Sequence, residues 1–220
     1  MQHGSRIEVI LGCMFSGKST ELLRRSCRYE AIGKKILFIN HLNDIRTDDS
    51  IKTHSNFKKT AKKMDKLIPI IDSTEFYESS VIAIDEAQFF DDLLEFVKRA
   101  EKYNKIIIVA GLDGDYKREP IGQILSIIPL CDTVTKLTAM DMVDKDGSIA
   151  IYTKRIVPNK EQLLVGSDEM YLAVSRKNYH SNSSLIKNKI DNQKDTKING
   201  KIENSNFYSD TPSLDKSALW

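Results

Sequence analysis

The chain has 220 residues, the size of one ordinary domain or of one domain with a small appendage. Hydrophobic residues at 40% and charged residues at 29% fall near the globular average, which excludes a wholly disordered, fibrous or membrane-embedded chain. Lys and Arg (33) against Asp and Glu (31) leave a net charge of +2, too little for nucleic-acid binding driven by bulk charge, so no nucleic-acid partner is expected.

In chain order, short apolar runs alternate with amphipathic stretches. Ile7–Leu11, Lys35–Ile39, Val81–Ile84 and Ile106–Ala110 read as buried strands, a pattern that predicts an α/β fold on a parallel sheet. Lys18–Ala31 places Leu22, Leu23 and Cys27 at helical spacing and stops at Gly33. Asp91–Tyr103 repeats that pattern with Leu94, Val97 and Ala100. Asn43–Lys66, rich in Lys, Thr, Ser and Asp, reads as a long loop with room for one helix. The strand–helix units are expected to run through Leu137, making residues 1–137 the main domain. Residues 138–180, with the turn Asp146-Gly147 and the short runs Ala150–Arg155 and Leu163–Val165, read as a small β-rich subdomain. In residues 181–220, Asn, Ser, Lys and Asp supply most positions without any period, which predicts a disordered tail.

The run Ile7–Leu11 leads straight into a glycine-rich turn and so reads as a first strand rather than a signal peptide. No apolar run reaches the ~18 residues of a membrane span, so no membrane partner is expected. Cys13, Cys27 and Cys131 form no CxxC pair, and a disulfide framework or cysteine-bound zinc cannot be read from them. A reducing, cytoplasmic setting is the expectation.

Gly12-Cys13-Met14-Phe15-Ser16-Gly17-Lys18-Ser19 fits GxxxxGK[ST] and lies between an apolar strand and an amphipathic helix. In that setting backbone N–H groups converge on phosphate oxygens, Lys18 reaches the β- and γ-phosphates, and the Ser19 hydroxyl can hold Mg²⁺. Val81–Ile84 ends in Asp85 and Glu86. An acid after such a strand commonly belongs to the magnesium shell, and a following Glu can take a proton from the attacking group, so Asp85 is expected on the metal and Glu86 as base. Kinases, translocating ATPases and GTPases share these two motifs, and fold alone does not pick the acceptor.

Further motifs narrow the choice. GCMFSGKST (Gly12–Thr20), Asp44-Ile45-Arg46, Thr53-His54, IDEAQFF (Ile84–Phe90), VAGLDGDYKREPIG (Val109–Gly122), KLTA (Lys136–Ala139) and YTKR (Tyr152–Arg155) resemble, in order and spacing, the cellular-type (type II) thymidine kinases. The resemblance covers about residues 6–180 and implies a RecA-like P-loop domain with a small zinc-ribbon-like subdomain, assembling as a homotetramer. It implies transfer of the ATP γ-phosphate to the 5′-hydroxyl of thymidine with Mg²⁺, a step of deoxynucleoside salvage for DNA synthesis.

By position, the resemblance assigns ATP and Mg²⁺ to Gly12, Cys13, Met14, Phe15, Ser16, Gly17, Lys18, Ser19 and Thr20 together with Asp85, Glu86, Ala87 and Gln88. Ser19 and Asp85 would hold the metal, and Glu86, Lys18, Asp44 and Arg46 the chemistry. The thymidine pocket would be formed by Met14, Phe89, Leu112, Tyr116, Thr153 and Tyr171, with Leu163, Leu164, Val165, Gly166, Ser167 and Asp168 reading the base edge through main-chain groups.

Two departures stand out. Ile121 replaces the family's usual Phe, removing a ring from the pocket. Asp141, Asp144, Ser175 and Asn178 occupy the four zinc-cysteine positions, so no structural zinc is expected. Hydrogen bonds from Ser175 and Asn178 to one of the acids are expected instead, with Met140, Met142, Ile149, Ile151 and Val174 packing inward, and with the second acid facing solvent or paired with Arg176 or Lys177. The same phosphate-loop pattern also suits a nucleotide sensor without turnover or a DNA-translocating ATPase. Joint retention of Lys18, Arg46, Asp85 and Glu86 disfavours the first, and the lack of a basic stripe or stacking platform disfavours the second.

Overall fold

A computed structural model describes residues 4–44, 50–52, 58–158, 162, 170–182 and 186. Strand β1 (Arg6–Gly12) is followed by helix α1 (Lys18–Glu30), β2 (Ile36–His41), β3 (Ser50–Lys52), β4 (Lys58–Thr60), β5 (Lys62–Met64), α2 (Thr74–Glu78), β6 (Val81–Ile84), α3 (Leu93–Ala100), β7 (Ile106–Leu112) and β8 (Thr133–Leu137). Six of these strands form one sheet in the order β5-β2-β6-β7-β1-β8, every neighbouring pair parallel. The expected α/β fold on a parallel sheet is therefore present.

The central strands β1, β2, β6 and β7 are mostly apolar because both faces of the sheet are covered there. Alternate residues point opposite ways: Ile7, Val9, Leu11, Leu37, Ile39, Ile82, Ile84, Ile107 and Val109 join α3 residues Leu93, Phe96, Val97 and Ala100 in one core. Ile10, Phe38, Val81, Ala83, Ile108 and Ala110 meet Leu22 and Leu23 of α1 in the other. Burying a side chain of this size contributes about 1.5–3 kcal/mol, so the two cores dominate the fold's stability.

Helix α3 is shorter than the periodicity of Asp91–Tyr103 predicts. Its start is set by Gln123, whose Oε1 accepts from Leu94 N at 2.8 Å, while Asp92 Oδ2 accepts from Leu67 N and Ile68 N, both at 2.8 Å, and so ties a neighbouring loop instead of extending the helix. Glu101–Tyr103 tightens into a 3₁₀ turn. In Asn43–Lys66 the described residues hold no helix. They hold the antiparallel pair β3–β4 and the edge strand β5, which the Lys-rich sequence disguises. Lysines suit an exposed edge because they discourage pairing with another chain.

After β8 come β9 (Ala139–Met140), β10 (Ile149–Ala150), β11 (Tyr152–Arg155), β12 (Tyr171–Val174) and α4 (Arg176–His180). Two antiparallel pairs, β9–β10 and β11–β12, make a small β-rich lobe. Its core is small: Ala139, Ala150 and Ala173 with Met142 close over Cys13 and Phe15 of the loop after β1, and Val143, Leu172 and, as expected, Val174 are buried. Met140 and Ile149 do not pack inward as expected. They are exposed, at 67% and 58%, since two-residue strands at a lobe edge have no second layer to cover them.

What holds the lobe instead is one carboxylate. Asp141, 2% exposed, accepts from Val143 N (2.8 Å) and Asp144 N (3.0 Å) on Oδ1, and from Ser175 N (2.6 Å) on Oδ2. The Asn178 amide donates to both of its oxygens, at 3.1 and 3.0 Å. Burial works to raise the Asp141 pKa, but the hydrogen bonds from Ser175, Asn178 and Asp144 outweigh it and hold the group well below the ordinary aspartate value. Asp144 pairs with Lys177 at 3.1 Å, which separates the two acids as expected. Met1–His180 forms one compact unit and Ser181–Trp220 another. No described helix is long and apolar enough to cross a membrane.

Candidate active site

The parallel sheet delivers the loops after β1, β2, β6 and β7 to one edge, where ligands of open α/β sheets bind. After β1 the chain turns back on itself: Ser16 Oγ and Lys18 Nζ both donate to the Cys13 carbonyl, at 2.8 and 2.7 Å, and α1 begins at Lys18 behind Gly17. Gly12 has to be glycine, because a Cβ there would lie 2.6 Å from the Leu137 carbonyl oxygen and 2.6 Å from Ser16 Oγ. Burial pushes the Lys18 ammonium below its usual range, and the nearby Glu86 and Asp85 carboxylates pull it back up. A phosphate chain at this loop would add to the countercharge that these carboxylates supply.

Asp85 and Glu86 follow β6, and the strand ends at Ile84 before either acid. The opposite-face rule for adjacent strand residues therefore does not separate them. A backbone turn does: Glu86 adopts φ +51°, the left-handed region that costs a residue with a Cβ about 1–2 kcal/mol. Asp85 is buried and accepts from Glu86 N at 3.0 Å, whereas Glu86 is half-buried.

Gln88 fixes the Glu86 side chain, donating from Nε2 to Glu86 Oε2 at 2.6 Å while its Oε1 accepts from Leu112 N at 3.0 Å. A Cβ on Gly122 would sit 2.2 Å from the Gln88 carbonyl oxygen, so that glycine lets the next loop close over the turn.

At the end of β2, Asp44 is buried. Its Oδ2 accepts from Asn40 Nδ2 at 2.9 Å, and its carbonyl accepts from Lys63 Nζ at 2.5 Å. Phe89 stacks on His41, with ring centroids 5.4 Å apart.

The small lobe touches the phosphate loop directly. Thr153 Oγ1 accepts from Met14 N at 3.0 Å, and Cys13 Sγ donates to the Ala150 carbonyl at 3.6 Å. Met14 and Thr153, both expected at the nucleoside, thus touch each other. Tyr116 and Tyr171 are linked by Arg155, whose guanidinium lies over both rings. Ile121 is buried at 2% and packs as core. Arg46 and the segment 163–168 lie outside the described residues, as does most of the 181–220 tail. Sequence reasoning missed Asn40 and Arg155 because neither belongs to a phosphate-loop or strand-end acid pattern.

Comparison with known proteins gives a consistent answer. A family model described as "Thymidine kinase" matches residues 5–179. The chain is 43% identical over 178 residues to the thymidine kinases of vaccinia virus (strain Western Reserve) and raccoon poxvirus, covering 80% of this chain and 98% of each relative. It is 42% identical to that of variola virus over the same shares. Among solved structures, the flagellar accessory protein FlaH from Methanocaldococcus jannaschii aligns over 69% of this chain and 80% of its own, with 19% identity and a TM-score of 0.45. By the match along nearly all of its described length, the chain belongs to the thymidine kinase family.

Proposed function

We propose that the protein transfers the γ-phosphate of ATP to the 5′-hydroxyl of thymidine, with Glu86 as the general base. The observation that carries this reading is the Gln88 bridge, which holds the Glu86 carboxylate at the phosphate-loop edge and ties it to Leu112, one of the expected nucleoside contacts. In the proposed step the 5′-oxygen attacks the γ-phosphorus in line, its proton passes to Glu86, and the bond to the β,γ-bridging oxygen breaks to leave ADP. Lys18 and Arg46 offset charge on the transferring group, and Asp44, braced by Asn40, helps order that side of the site.

The donor set fits magnesium: Ser19 and Asp85 are hard oxygen ligands, and Asp85 is buried behind β6. The ion would neutralise phosphate charge as the bond to ADP breaks. The backbone cradle from Gly12 to Thr20 suits phosphate oxygens, and Ala87 and Gln88 complete that side. For the nucleoside we assign Met14, Phe89, Leu112, Tyr116, Thr153 and Tyr171 as walls and residues 163–168 as the base-edge reader. Main-chain groups that match thymine leave polar groups unpaired against cytosine, at about 1–3 kcal/mol each.

We further read the chain as a kinase domain (1–137), a β-rich lobe (138–180) without zinc and a tail (181–220). It would act in the cytoplasm, where free thiols such as those of Cys13, Cys27 and Cys131 persist, as a homotetramer. Coupled detection of ADP from the purified protein tests the whole reading. Release that depends on thymidine is the expected result. Release without thymidine indicates an ATPase, and binding of ATP without release indicates a sensor.

A further inference from the structure

Arg155 ends β11 and is 7% exposed, although no phosphate-loop or catalytic pattern calls for a charge there. Its guanidinium carbon lies 3.9 Å from the centroid of the Tyr116 ring, a separation reached only over the ring face, and 5.2 Å from that of Tyr171. Its Nη2 donates to the Tyr171 hydroxyl at 2.7 Å and to the Gln162 carbonyl at 3.2 Å. Tyr171 is its cross-strand partner in β12, but Tyr116 comes from the loop after β7, on the main sheet.

The main chain of Tyr116 is held as well. Tyr179 donates its hydroxyl to the Tyr116 carbonyl at 3.0 Å, and the Tyr179 ring lies under Arg118 at 4.5 Å. Lys154 in turn donates to the Asn178 and Tyr179 carbonyls, at 3.1 and 2.9 Å, which seats α4 for that contact.

We infer that Arg155 is a positioning residue for the nucleoside: one planar cation sets the Tyr116 and Tyr171 rings relative to each other and so fixes the pocket walls. This rests on the thymidine reading proposed above. The chemistry needs a guanidinium. A flat, delocalised cation covers one ring with its face while its edge bonds a phenol, a geometry that the compact ammonium of lysine matches poorly. Tyr116 is half-buried, with Arg155 over its ring at 3.9 Å and Lys117 Nζ at 5.5 Å from the centroid. The Arg155 contacts with Tyr116 and Tyr171 lie on the nucleoside side of the site.

The test uses full-length protein with Arg155→Met, Arg155→Lys and Tyr171→Phe. For each, thymidine affinity is measured by calorimetry, the KM values for thymidine and ATP by steady-state kinetics, and stability by thermal melting. Arg155→Met should weaken thymidine binding by about tenfold or more, the loss expected for a desolvated cation–π contact, with the KM for ATP within about twofold. Arg155→Lys should recover little of that loss. Should Arg155→Met fail to fold, Tyr171→Phe removes a single hydroxyl and should raise the thymidine KM by about threefold while the protein stays folded, its melting temperature only a few degrees lower. Equal shifts in both KM values, or an unchanged thymidine KM in folded variants, would overturn the inference. A wild-type protein that binds ATP but not thymidine would overturn the proposed function, and this inference with it.

Discussion

The phosphate loop and the small β lobe meet at Met14 and Thr153, yet they are built by opposite means. The loop is shaped by backbone: Gly12 and Gly17 take conformations that a Cβ would obstruct, and the Cys13 carbonyl gathers Ser16 and Lys18. The lobe has little core and is shaped by side chains, chiefly the Asp141 carboxylate drawing in Val143, Asp144, Ser175 and Asn178. A backbone-built site rests on a large apolar sheet and tolerates changes to its reactive side chains. A side-chain-built lobe stands or falls with its central group.

Exchanging one group that faces the phosphate loop and one in the lobe breaks the comparison most sharply. Glu86→Gln should lower kcat by about 10²–10⁴-fold, the usual share of general-base catalysis, while ATP binding and melting temperature stay as in the wild type. Near-full kcat would shift the base to another acid, Asp44 first. Asp141→Ala should do the reverse. It strands several buried donors, at about 1–3 kcal/mol for each one left unsatisfied, and should lower the melting temperature by several degrees. An unchanged melt would show that the lobe is held elsewhere.

Acid sharpens the same contrast. The folded-state pKa of Asp141 lies below its ordinary value of 3.8, so its contribution is present above that value and is lost as the pH falls from there through the folded value. The difference in stability between wild type and Asp141→Ala, followed by denaturant titration, should therefore shrink below about pH 4. A constant difference would mean that the charge is not what binds the lobe.

The smallest expected effect is on metal removal. Chelator should leave the melting temperature unaltered, because the lobe's four expected ligand positions carry no thiolate and Asp141 is already committed to its donors. Elemental analysis that finds about one zinc per chain in this segment would overturn that.

The contrast also explains what could be read from the sequence. β1, β2, β6 and β7 are covered on both faces, so they appear as unbroken apolar runs, and the phosphate loop requires glycine at fixed intervals. The Asp141–Asn178 bond was readable because four substituted positions fell together in a known pattern. β5 was hidden, since an edge strand bearing Lys62 and Lys63 has no apolar signature. The start of α3 is not legible because Asp92 and Gln123 act across the fold rather than along the helix. Arg155 was invisible for a similar reason: its meaning lies in the face of a tyrosine from a different element, and no spacing within YTKR encodes that.

The strand order carries a consequence for how the protein is made. β1, which bears the phosphate loop, leaves the ribosome well before its two sheet neighbours, β7 and β8. Pairings so distant along the chain must overcome a large loop-closure cost and form slowly. The nascent chain must therefore shield Ile7–Leu11 until synthesis has passed Leu137. During refolding, nucleotide binding should return only after that last registration, well behind the recovery of helix signal.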